Sequence, residues 1–215
     1  GTWFPYHRQG KGVLRMDKVL ERRAITELRS VESETPVLEG YAAVFDTLSE
    51  ELWGFRERIA KGAFAKTIKE DDIRFLFNHN SDHVLGRLKA NTLSLNEDDR
   101  GLHFRCELPD TSFAKDLAES VRRGDIDQCS FGFYVVTDNW RKEDGEIVRT
   151  LEEVELFDVS LVTYPAYKDT TASVRSAQTL FQEKIQELEA PALEAEAQSR
   201  ILVLKRRLDL LENEI

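Results

Sequence analysis

Three side chains hold the chemistry this sequence could do. Ser130 lies in a run, residues 129–136, rich in aromatic and β-branched side chains, which predicts a strand. Alternation puts Phe131, Phe133 and Val135 on one face, with the character of a core, and Ser130, Gly132 and Tyr134 on the other. A glycine inside a strand leaves room for close approach of another group. The Ser130 hydroxyl therefore has an open neighbour and could be a nucleophile. It could also be an ordinary residue at a strand start, and the run alone favours that simpler reading. His79 follows a strongly apolar run, residues 73–77, and opens a polar stretch. A histidine there is well placed as a general base, because its ordinary pKa near neutrality lets it take and return a proton. Taken alone it would more simply cap a strand or a turn. Asp158 sits inside the apolar run 156–162, and a carboxylate in such surroundings needs a partner. Serine is a poor nucleophile until a base removes its proton, and a carboxylate stabilises the imidazolium that results. The order His, Ser, acid, with all three placed on or beside strands, is hard to explain as packing.

Other residues compete for these roles. Cys129 could be the nucleophile, but a thiol flanking a core strand is inert unless its pKa is lowered. Cys106 and Cys129 have no metal spacing and are expected to be reduced core residues of a cytoplasmic protein. His83 is the fallback base. His79 and His83 stand four apart, a metal-pair spacing only on a helix, and the intervening residues are turn formers. With no third ligand nearby, no metal is expected. Glu152, Glu153 and Glu155 read as solvated strand carboxylates, with Glu155 the substitute for Asp158.

The elements that must position these residues are strand-like. Strands are predicted near residues 19–28, 37–45 (with Gly40 a bulge), 55–59 and 73–77. A short helix is predicted to open at Gly62-Ala63-Phe64 and run to Ile68, and a loop is predicted over 78–83. Residues 92–96 and 102–108 are predicted to form a hairpin around a polar turn, with His103 on its surface. Thr111 can cap a helix over 112–123 that ends at Gly124, with Phe113, Leu117 and Val121 facing the core. After the Ser130 strand comes a polar hairpin loop, 138–146, turning at Asp144-Gly145, then a long and bent strand over 147–163. Pro165-Ala166 ends that strand and Ser173-Val174 closes the body. Strands and helices do not alternate regularly, so a doubly wound parallel sheet is not expected.

The chain has 215 residues and a formal charge of −10. A body of ~150 residues can bury roughly 70% of its unfolded surface, enough for a core. The acidic balance argues against a nucleic-acid partner and against an anionic membrane surface. No apolar run approaches the ~20 residues of a membrane-spanning helix, and no secretory signal is visible. Residues 1–15 are Gly-rich and basic, and the only methionine is Met16. We expect Met16 to be the natural start and residues 1–15, with His7, to be an added or unstructured extension. One globular body is expected over 16–175. Composition shifts near Ser176 to an acidic, Gly-free tail, 176–215, with helices over 179–189 and 193–215 separated by Pro191. In the second, Ala197, Ile201, Leu204, Leu208, Leu211 and Ile215 keep 4-3 spacing, a coiled-coil seam that either meets a partner helix or packs on its own body.

The order of several short motifs is similar to that of the prohead proteases of tailed bacteriophages, serine enzymes distantly related to herpesvirus assemblins. The resemblance covers residues 37–174. It rests on Gly40 through Phe45, Gly62-Ala63-Phe64, Asn78-His79 followed by Leu85-Gly86, Gly101-Leu102 and Gly124-Asp125-Ile126. It continues through Ser130-Phe131-Gly132-Phe133 and Asp158 through Val162 to Pro165-Ala166. The resemblance implies Ser130 as nucleophile, His79 as general base and Asp158 as the orienting acid. The family more often has Glu at that third position, which keeps Glu155 as an alternative, and Tyr167 stands where a smaller polar residue is common. The implied fold is an assemblin-like β-barrel, closed or nearly so, flanked by helices. The implied activity is endoproteolysis inside the procapsid, in the host cytoplasm, without a cofactor, which makes the body over 16–175 a protease domain. The implied partners are the major capsid protein with its scaffold segment, and a second copy of the chain for dimerisation and self-cleavage. Backbone amides near residues 164–168 are the expected oxyanion donors. The competing class is non-enzymatic, an internal scaffolding protein acting through its coiled coil.

Overall fold

A computed structural model describes residues 19–25, 28–31, 35–164 and 171–212. Among them the strands are β1 (Glu21–Ile25), β2 (Leu28–Val31), β3 (Val37–Val44), β4 (Arg56–Ile59), β5 (Arg74–Phe77), β6 (Asn80–Arg87), β7 (Leu93–Glu97), β8 (Gly101–Glu107), β9 (Gln128–Glu143) and β10 (Glu146–Val162). The α-helices are α1 (Thr67–Glu70), α2 (Ser112–Arg123) and α3 (Thr171–Glu212). The class is strand-dominated α+β.

The long hairpin of β9 and β10 is the axis. Residues 138–143, predicted as loop, instead continue β9, and the reversal narrows to Asp144-Gly145, both with positive φ (49° and 89°). The polar sequence disguises a strand whose inward positions are filled. Trp140 is buried, and Arg149, its partner across the ladder, lays its guanidinium over the indole at 5.4 Å. On its other edge β10 pairs in parallel first with β4 and then with β5. The sheet order is β1-β9-β10-β5-β6, and it is mixed rather than antiparallel.

A second sheet has the order β2-β3-β8-β7. The predicted early strand over 19–28 is thus two strands, one in each sheet. Gly40 pairs regularly with Phe104, and the bulge lies between Tyr41 and Ala43 instead. Phe75 of β5 stacks on Phe104 of β8 at 5.0 Å, and Phe64 meets Phe131 edge-on at 5.7 Å, so the sheets bury their aromatic faces against each other. Each such ring contributes roughly 2–3 kcal/mol by leaving water. Helix α2 covers this core with Ala114, Leu117, Ala118 and Val121, capped by Thr111, whose Oγ accepts from the Ala114 amide, and by left-handed Gly124.

A closed barrel does not form among the described residues. β1 and β2, consecutive in the chain, are outer strands of the two sheets, and so are β6 and β7. Among the described residues no ladder joins β1 to β2 or β6 to β7, and between the latter two a single 3-10 turn (Leu88–Ala90) and left-handed Asn91 redirect the backbone.

A buried charge network fixes β1 on β9. Arg149 and Glu57 are 2% and 3% exposed. Arg149 donates to Glu21 (2.9 Å), Glu57 (3.1 Å) and Asp138 (2.7 Å), and Arg23 donates to Glu57 (2.7 Å) and Glu21 (2.8 Å). Strands β1, β4, β9 and β10 are thereby joined by charge-assisted bonds, each charge answered by an opposite one.

Helix α3 is continuous, with Pro191 inside it, where two helices were predicted. One missing amide costs about 3 kcal/mol, and the Ala-, Glu- and Leu-rich turns on both sides outweigh it. Its Phe181 is buried on the body against Phe55 (5.7 Å) beside Trp140. Farther on, Ile201 and Leu204 of the predicted seam are exposed (52% and 60%). Leu208, Leu211 and Ile215 lie outside the described side chains, as do residues 1–18, 165–170 and the side chains of Ser173 and Val174. Among the described residues no helix is long and apolar enough to cross a membrane.

Candidate active site

β5, β10 and β9 are neighbours, and each delivers one part of the site. On β9 and β10, Ser160 stands directly opposite Ser130, and Asp158 opposite Gly132. Ser130, Asp158 and Ser160 therefore share one sheet face. Their side chains are buried, with Ser130 and Ser160 wholly so. A bulge between Leu156 and Asp158 adjusts this register, and it leaves Phe157 exposed beside Tyr134.

His79 arrives on the reversal between β5 and β6. Residues 78–83 were predicted as a loop, but Phe77 already pairs with Asn80, leaving a two-residue turn. Asn78 and His79 have φ of 53° and 55°. Two successive left-handed residues are the backbone of a type I′ turn, which favours Asn first and Gly second. His79 thus occupies a position where a side chain costs about 1–2 kcal/mol. The turn is anchored on β10. The Asn78 amide donates to the Leu161 carbonyl (2.8 Å), its side-chain oxygen accepts from the Thr163 amide (2.9 Å), and the His79 amide donates to Ser160 Oγ (3.2 Å).

In this position the imidazole bridges the two long strands. His79 Nδ1 is 2.7 Å from Asp158 Oδ2, and Nε2 is 2.9 Å from Ser130 Oγ. A carboxylate facing Nδ1 holds the ring proton there, so Nε2 is the acceptor for the Ser130 hydroxyl. Ser160 Oγ donates to the same Asp158 Oδ2 at 2.5 Å. Asp158 Oδ1, also buried, has no hydrogen-bond partner. It faces Gly132, where an added Cβ would lie 2.6 Å from it. The open neighbour of Ser130 thus makes room for the acid. A hydroxyl, an imidazole and a carboxylate linked in this sequence can pass a proton from the hydroxyl to the ring as the oxygen attacks an electrophile.

The other predicted residues stand elsewhere. Glu155 is exposed on β10 opposite Tyr134. His83 stacks on Phe113 at 4.8 Å and meets Asn80. His103 packs edge-on against Tyr41. The Cys129 thiol is buried on the core face, where desolvation and then the Asp158 charge push its pKa far up, and burial pushes Cys106 to about 12. Tyr167 and the amides of residues 165–168 lie outside the described residues. A concavity of about 520 Å³ lined by Arg29, Tyr41, Arg100 and His103 lies on the second sheet and holds none of the three. Ser160 escaped the reading of the sequence as a contributor to the site. The signal was present, since it is a polar residue in an apolar run at the same strand parity as Asp158.

The chain is 29% identical over 135 residues to the prohead protease of Enterobacteria phage HK97, covering 60% of this chain and 56% of that protein, so it spans little more than half of its relative's length. The bacteriophage T4 capsid assembly protease aligns with a TM-score of 0.43 and 11% identity over 66% of this chain and 98% of that one. The model of the caudovirus prohead serine proteases matches residues 24–184, about three quarters of the sequence and every strand carrying the site, and the chain belongs to that family.

Proposed function

We propose that the chain is a serine endopeptidase that matures procapsids, with Ser130 as nucleophile, His79 as general base and Asp158 as the orienting acid. Its substrates on this reading are the scaffold segment of the major capsid protein and the chain itself, and it works as a homodimer within the procapsid. The observation that carries the proposal is the hydrogen-bonded series from Ser130 through His79 to Asp158 at 2.9 and 2.7 Å. Ser130 Oγ attacks the scissile carbonyl while His79 Nε2 takes its proton, and Asp158 stabilises the imidazolium. The tetrahedral intermediate collapses as His79 returns that proton to the leaving amine. Water then hydrolyses the acyl-serine by the same proton route. No metal or cofactor is needed by this sequence of steps.

A scaffolding role for the tail has its own support in Ile201 and Leu204 on α3, exposed apolar residues three apart on one helix face that a partner helix could cover. It is compatible with the enzymatic reading and competes with it only if the body is inert. Co-expression with the matching capsid protein tests both. The intact chain, Ser130→Ala and His79→Ala are compared by mass spectrometry. Cleaved capsid protein and a shortened protease are expected with the intact chain alone. Identical products from all three, or none from any, would leave the scaffold reading.

A further inference from the structure

Ser160 makes two contacts that no other residue near the imidazole makes together. Its hydroxyl donates to Asp158 Oδ2, the oxygen that also accepts from His79, and its Oγ accepts the backbone amide of His79. These bonds close a ring. Asp158 Oδ2 holds the His79 side chain, Ser160 holds Asp158 Oδ2, and Ser160 also holds the His79 main chain. The ring sits where it is needed, since His79 is left-handed, a backbone that non-glycine residues adopt uncommonly. Ser160 is wholly buried and directly opposite Ser130 in the ladder, so its position is set by the same register that sets the nucleophile.

We infer that Ser160 is a positioning residue that tunes this site, pinning the turn that carries His79 and moderating the basicity of Asp158. The inference rests on the proposed roles of Ser130, His79 and Asp158. A hydroxyl donated to a carboxylate favours its charged form. It also shares the electron density that would otherwise go to the imidazole N–H. Asp158 Oδ1 has no partner, so Ser160 and His79 are the two donors this carboxylate has among the described residues. Without Ser160 the whole charge is directed at His79, the imidazolium is favoured, and the ring stays protonated to higher pH. The amide of His79 loses its acceptor at the same time, so the ring is aimed less well at Ser130 Oγ.

The test reads His79 directly. In the full-length chain labelled with ¹⁵N, the Nδ1–H resonance, assigned by its absence from His79→Gln, is titrated in the parent, in Ser160→Ala and in Ser160→Cys. The midpoint is expected to rise by about one pH unit in Ser160→Ala. The acid limb of kcat/KM should follow it, with kcat down about 10- to 100-fold and KM within about twofold. Ser160→Cys keeps the volume with a weaker donor and should fall between, which preserves the comparison if the alanine variant does not fold. Midpoints and acid limbs that coincide in all three chains would overturn the inference, whatever happens to kcat, because a residue that only fills space does not move a titration. A Ser130→Ala chain that still cleaves would bring down the parent reading by a separate route, leaving Ser160 to be judged on the resonance.

Discussion

Gly132→Ala should disable the site while leaving the fold standing. The added methyl would lie 2.6 Å from Asp158 Oδ1, where ordinary contact begins near 3.4 Å, so the carboxylate must retreat by roughly 0.8 Å. Asp158 has little freedom to do so, because its other oxygen is held at 2.7 Å by His79 and 2.5 Å by Ser160. A retreat of that size stretches the His79 contact to the limit of a hydrogen bond, about 3.2–3.5 Å. Complete loss of an orienting acid costs serine proteases about 10⁴ in rate, and a misplacement near 1 Å about 10². We therefore expect acylation at Ser130 to slow by about 10²-fold or more. Overpacking a buried position costs about 1–3 kcal/mol. For a body of this size that lowers the melting temperature by about 3–10 °C. The assay follows adduct formation with a fluorophosphonate probe by intact mass, alongside thermal melting by circular dichroism. A folded Gly132→Ala chain that acylates at the parent rate would refute the argument that the glycine exists to seat Asp158.

The network that fastens β1 gives the protein an acid limit. Burial pushes the Glu21 carboxyl up, but the guanidinium groups of Arg149 and Arg23 outweigh it and hold its pKa below the ordinary value of 4.5. A depressed native pKa contributes stability that is present above the unfolded value and lost as pH falls through the native one. The melting temperature should therefore hold from neutrality to about pH 5 and fall below about 4.5. Glu21→Gln should be less stable by about 3 kcal/mol at pH 7 and show a shallower acid slope, and an unchanged slope would exclude Glu21 as its source. At Cys129, burial and then the Asp158 charge keep the thiol protonated. Iodoacetamide should leave the activity intact while a serine-directed fluorophosphonate abolishes it, and thiol-dependent inactivation would return Cys129 to contention as the nucleophile.

Much of this architecture could be read before any coordinates, for identifiable reasons. The Ser130 strand, the 102–108 strand and helix α2 announce themselves through alternation, helical spacing and end caps, which are local properties. Misreadings occurred where distant partners decide. The stretch from Asp138 to Glu143 looks like loop until Arg149, eleven residues from Asp138 in sequence, supplies the charge that its polar positions answer. Glu21 and Arg149 are 128 residues apart, and no periodicity links them. The loop over 78–83 was a two-residue turn because the hydrogen bonds of β10 hold two left-handed residues that sequence preference alone would reject at the second position. Barrel closure likewise depends on how edge strands meet, which neither strand's pattern records. Asp158 was legible as a carboxylate lacking a partner, whereas Ser160, small and apolar-flanked, passed for filler.

The parallel pairing of β5 with β10 also orders events in time. His79 and Ser160, which bond across it, are 81 residues apart in the chain. At 5–20 residues per second, roughly ten seconds of synthesis separate them. A nascent chain thus exposes its histidine turn first, then its serine strand, and obtains the carboxylate that aligns them last. Until β10 has emerged and closed the ladder, the left-handed turn has no anchor and Ser130 has no imidazole held beside it. On the proposed reading, a ribosome-bound fragment ending before Asp158 is therefore expected to be inert, with activity arising only once the sheet is complete.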